Sequence, residues 1–76
     1  MAKLSLVNAK DMAKIAEKLG FVKVRQNGSH ARYKADNGLV TVIPMHIGDL
    51  KRALIRDIIS QMGITPDEYE MMRKSI

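Results

Sequence analysis

At 76 residues the chain has room for one domain with a small core, since a domain of this size buries only about 60% of the surface its unfolded chain exposes. Cysteine is absent, which excludes disulfides and thiolate metal sites as supports and fits a reducing compartment, the cytosol by default. No stretch approaches the ~20 apolar residues that span a bilayer and MAKLSLVNAK has no apolar segment of signal-peptide length, so the expectation is one soluble cytoplasmic domain over residues 1–76.

In VNAKDMAKIAEKLGF, Met12, Ile15, Ala16 and Leu19 recur at the spacing of one helix face, which predicts a helix over about residues 9–19. Asn8 is placed to cap its start and Gly20 to end it. Three short β-type runs follow, FVKVRQ, HARYKA and LVTVIP, separated by Asn27-Gly28 and Asp36-Asn37-Gly38. Asn-Gly between alternating runs is the strongest local hairpin signal, so the runs form an antiparallel meander. From Asp49, DLKRALIRDIISQMG carries a broad apolar stripe, with Gly63 as its stop. Thr65, Pro66 and Glu68 then combine a cap, proline at the first helical position and a capping-box glutamate, which starts a short last helix with Tyr69 and Met72. The expected class is α+β in the order αβββα: a three-stranded antiparallel sheet, two helices on one face, and a short C-terminal helix.

Two-residue loops at both Asn-Gly pairs set a register. Val24 then lies opposite Ala31, Val22 and Val42 opposite Tyr33, and Val40 opposite Ala35, on an apolar face that holds the helices. The other face collects Lys23 opposite Arg32, Arg25 opposite His30, and Lys34 opposite Thr41, with Ile43 and Met45 beyond. Cations side by side on an open sheet cost stability, and a bound phosphate backbone or long solvated stems are the two ways to accommodate them.

Charge is also unevenly placed along the chain. Residues 1–35 carry eight Lys and Arg against two Asp and Glu, whereas residues 36–76 carry five against six. A basic half suggests a polyanionic partner, nucleic acid foremost, or a merely solvated cationic surface. The candidate RNA contacts are Lys23, Arg25, Ser29, Arg32 and Lys34, with Asn27 and Gly28 as the turn that positions them. His30 lies among these cations, where a histidine base could take the proton from a ribose 2′-OH while arginine or lysine stabilises charge at the attacked phosphate. The alternative is a histidine that only borders a turn. His46, in PMH, is the secondary candidate, either as general acid or as a backbone-bonding loop residue. Tyr33 reads as core, and Met71 and Met72 as the methionines nearest to serving a partner.

No Gly-rich phosphate loop, HExxH pair or two-metal carboxylate spacing occurs, and two histidines without cysteine argue against zinc. No metal or other cofactor is expected, and a nuclease of this composition would be metal-independent with a 2′,3′-cyclic phosphate product.

Gly20-Phe21 at the end of the first helix, VKVRQ leading into Gly28-Ser29-His30, Pro44-Met45-His46 after the third strand and a helix closed by Gly63 resemble the HicA-type toxins of bacterial and archaeal toxin–antitoxin pairs. The similarity spans roughly residues 8–70. It implies a fold like that of double-stranded RNA-binding domains, a ribonuclease acting on mRNA, His30 as the catalytic histidine, and a HicB-type antitoxin that neutralises the toxin by covering the site. One departure is visible: the family's second helix often opens with a Pro-Gly-Thr-like stretch where this chain has Arg52-Ala53-Leu54, which predicts an earlier helix start here.

Overall fold

In the computed structural model, which describes residues 4–45 and 48–76, helix α1 (Ala9–Lys18) starts at Asn8. The Asn8 side chain accepts from the Asp11 N–H at 2.8 Å, satisfying one of the donors a helix start leaves free. At its other end the Gly20 N–H donates to Glu17 C=O and the Phe21 N–H to Ala16 C=O, a paired closure that turns the chain directly into the sheet. Strands β1 (Val22–Asn27), β2 (His30–Lys34) and β3 (Val40–Pro44) pair antiparallel in chain order. Helices α2 (Arg52–Gln61) and α3 (Pro66–Ser75) complete the expected α+β order. Met12, Ile15 and Ala16 of α1, Ile55, Ile58 and Ile59 of α2, Ala31 and Tyr33 of β2 and Ile43 of β3 share one core with Leu50, Phe21 and Tyr69.

The register differs from the expected one in two ways. Asn27 pairs with His30, so the first turn is Gly28-Ser29. Among the turn residues φ is positive only at Gly28, +60°, which is the type II′ arrangement with glycine first. This slides β1 by an even number of partner positions and by itself leaves every side chain on its expected face. A bulge between Lys23 and Arg25 then changes that: Arg25 faces Arg32 as the slide requires, but Lys23 now faces Tyr33 and Val22 faces Lys34. The second loop has three residues, with the Ala35 N–H donating to Leu39 C=O and Gly38 at φ +91°. That odd step turns β3 over, so Thr41 and Ile43 are buried while Val42 is exposed. Val22 and Val24, expected in the core, are 63% and 55% exposed. Thr41, expected on the open face, sits in the core with its hydroxyl donating to Gln61 Oε1 at 2.7 Å, which ties sheet to α2.

Helix α2 starts at Arg52, not earlier: Asp49 bridges Asn8 and the Leu50 N–H donates to Val7 C=O, so residues 49 and 50 are spent on an extended pairing with the N-terminal segment. That segment is part of the fold. Leu4 and Val7 are buried, Arg52 Nε donates to Leu4 C=O at 3.1 Å, and Tyr69 Oη donates to Ser5 C=O at 2.6 Å. Glu70 accepts from both the Ser5 N–H at 2.6 Å and the Ser5 hydroxyl at 3.0 Å, and Arg73 Nε donates to it at 3.2 Å. Helix α3, started by the expected capping box at Thr65 and Glu68, is therefore a clamp on the N-terminal segment and not a loose tail.

Partial burial pushes the Glu70 carboxyl up, but the bonds from Ser5 and the Arg73 guanidinium outweigh it and hold the carboxyl below the usual carboxylate range. A carboxylate with a lowered folded-state value stabilises above its unfolded-state value, and loses that contribution as pH falls through the folded one. Glu70→Gln is thus expected to lower the thermal midpoint clearly at pH 7, the gap to wild type narrowing as the midpoint is measured at pH 4 and below. A gap that is constant with pH would refute the clasp.

Candidate active site

On the sheet face turned away from the helices, facing residues form short rows. Asn27, His30 and Pro44 make one row, Arg25, Arg32 and Val42 the next, and Val22, Lys34 and Val40 the third. Cations and the histidine occupy β1 and β2, and the β3 column is apolar. Alternation along β2 explains why: Ala31 and Tyr33 point into the core, so His30, Arg32 and Lys34 must point out. An open depression of about 220 Å³ is lined by Arg25, Asn27, His30, Arg32 and Val42. Two guanidiniums, five N–H donors each and no acceptor, face one another beside an imidazole. No carboxylate is among the described residues that line the depression, and paired guanidiniums of this kind have the donor geometry to take an oxyanion such as a phosphate.

Three of the expected contacts, Arg25, Arg32 and Lys34, share this face with the candidate catalytic residue His30. Lys23 does not: through the bulge it sits across from Tyr33, and its ammonium donates to Gln26 Oε1 at 3.0 Å. Gln26 Nε2 in turn donates to Gly28 C=O at 3.1 Å, so Lys23 and Gln26 brace the turn from the side opposite His30. Ser29 is exposed in that turn, and its carbonyl accepts from the Met45 N–H. Asn27 is a strand residue and a wall of the depression, where the sequence suggested a turn residue. Tyr33 is core as expected, and burial together with nearby Glu17 pushes its phenol up from its ordinary value. His46 lies outside the described residues. Among those described, no helix is long and apolar enough to cross a membrane.

Residues 9–64 match the family described as the HicA toxin of bacterial toxin–antitoxin systems. The chain belongs to the HicA toxin family. No curated protein matches it. As a HicA-family chain it is a toxin of a toxin–antitoxin system, and the match begins with α1 and ends just before α3, so it contains the whole sheet face that carries His30. The N-terminal clasp and its α3 clamp fall outside the matched span, yet they share the core of the HicA unit through Tyr69, Leu4 and Val7.

Proposed function

We propose that this toxin is an endoribonuclease that cuts mRNA in the cytosol without a metal ion. His30 acts as general base, or as acid, at the scissile phosphate. The observation that carries this reading is the placement of His30 beside two facing arginines on a sheet face that the helices leave open. In the step envisaged, the imidazole takes the proton of a ribose 2′-OH and the 2′ oxygen attacks the adjacent phosphorus. The bond to the 5′ oxygen breaks, leaving a 2′,3′-cyclic phosphate and a 5′-hydroxyl, while Arg25 and Arg32 hold the charge that grows on the phosphoryl oxygens. The apolar β3 column beside the cations suits a single strand, whose bases are free to lie against Val42 and Pro44. A cognate HicB-type antitoxin neutralises the toxin by covering this depression.

The same cations would serve a module that binds RNA without cutting it. Purified protein incubated with labelled RNA separates the two: fragments with cyclic phosphate ends support the nuclease, whereas a gel shift with intact RNA under all conditions favours the binding module.

Salt dependence tests the face assignments. Removing one phosphate-binding cation should flatten the dependence of log affinity on log salt by about 0.7 to 0.9. Arg32→Ala and Lys34→Ala are expected to do so in an RNA titration, and Lys23→Ala to leave the slope unchanged. An equal flattening by Lys23→Ala would place that lysine on the RNA after all.

A further inference from the structure

We infer that Asn27 holds the ribose 2′-hydroxyl for His30 and so makes the site select ribose over deoxyribose at the cleaved nucleotide. The assignment rests on the ribonuclease reading above and names which side chain meets which part of the substrate.

The shift of the turn to Gly28-Ser29 moves Asn27 out of the loop and makes it the direct cross-strand partner of His30. Facing side chains in an antiparallel pair start from Cβ atoms about 4.5–5.5 Å apart, so a single oxygen between them can bond to both. Both residues line the same depression. The neighbouring row, Arg25 facing Arg32, lies two residues further along the strands, about 6.6 Å at the rise of a β-strand. A long guanidinium spans part of that distance, and the phosphate it would hold is attached to the same ribose. One row takes the sugar and the next takes the phosphate.

The chemistry divides in the same way. The guanidiniums are charged donors suited to the anionic phosphate. The 2′ oxygen is neutral before reaction, and the Asn27 carboxamide is the neutral donor among the described residues lining the depression apart from the imidazole itself. An N–H from Asn27 to a lone pair of the 2′ oxygen leaves the hydroxyl hydrogen pointing at His30. Proton transfer to the imidazole, formation of the bond from the 2′ oxygen to phosphorus and departure of the 5′ oxygen then follow. The 5′ oxygen leaves with a proton from solvent, and the imidazolium returns its own to solvent.

The test is a double-mutant cycle between Asn27 and the 2′-hydroxyl. His30→Ala prevents cleavage, so dissociation constants can be measured on that background for an RNA oligonucleotide and for the deoxyuridine-containing DNA of the same sequence, with and without Asn27→Ala. The expected result is RNA binding about fivefold tighter than DNA with Asn27 present, and a ratio near one without it, the scale of one neutral hydrogen bond. A ratio that Asn27→Ala leaves unchanged overturns the assignment, including the case in which both affinities fall equally because the hairpin is disturbed. Wild-type protein supplies the control on the underlying reading: cleavage of RNA with an insensitive ratio removes Asn27 alone, and absence of cleavage removes the ribonuclease and this role together.

Discussion

Replacement of His30 by alanine is expected to lower RNA cleavage by about 10²- to 10⁴-fold, the range that positioned proton transfer contributes, while RNA affinity and thermal stability change little. The separation follows from where His30 sits. It is exposed at the first position of β2, on the open face, so truncating it opens no cavity, and surface substitutions of this kind stay within about 0.5 kcal/mol of wild type. In the proposed reading the affinity comes mainly from Arg25, Arg32 and Lys34, which the substitution leaves in place. In cells, induction of wild type without antitoxin should stop growth and fragment mRNA, and induction of His30→Ala should do neither. Undiminished cleavage by purified His30→Ala would remove the histidine from the mechanism.

The largest effect on stability is expected in α3. Tyr69 is fully buried under the N-terminal segment, with its hydroxyl on Ser5 C=O, so Tyr69→Ala should cost about 3–5 kcal/mol through lost burial and a cavity. At roughly 4–8 °C per kcal/mol for a domain of this size, that lowers the thermal midpoint by well over 10 °C. Tyr69→Phe keeps the ring and removes the hydrogen bond, about 1 kcal/mol. Burial, with the Glu70 carboxylate and against the Arg73 guanidinium, pushes the Tyr69 phenol up to about 12. A phenol raised above its ordinary 10.0 contributes stability that is complete below pH 10 and fades as pH rises toward 12. The difference between wild type and Tyr69→Phe should therefore shrink over that interval. A Tyr69→Ala midpoint within a few degrees of wild type would mean that α3 melts separately from the rest.

The helices were legible because their signals are local. Asn8, Thr65, Glu68, Gly20 and Gly63 act on the turn in which they occur. The outward alternation of His30, Arg32 and Lys34 was legible for a similar reason, since it depends only on β2 being a strand. What the sequence does not carry locally is loop length. Asp36-Asn37-Gly38 can close a hairpin with two or with three residues, and the odd choice put Thr41 and Ile43 in the core and Val42 outside. The bulge beside Val24 has no residue signature either, and it alone moved Lys23 off the basic face. For the site, His30, Arg25, Arg32 and Lys34 could be found by counting from the strand. Asn27 was visible only as half of an Asn-Gly turn signal, although Gly-Ser fits the type II′ geometry equally well. The clasp of Ser5 by Glu70 was hidden by sequence distance, because neither residue has a local pattern that points to the other.

That clasp also orders events during synthesis. Ser5 and Glu70 are 65 residues apart in the chain, so the segment around Ser5 is translated well before its partner. At roughly 5–20 residues per second, about 3–13 s separate the two. Through that interval Leu4 and Val7 have no α3 to close over them, while the sheet with His30, made of near neighbours in sequence, needs only its own hairpins and the helices flanking it. The sheet face with His30 is thus synthesised before α3, the helix whose Tyr69 and Glu70 hold the segment around Ser5 in place.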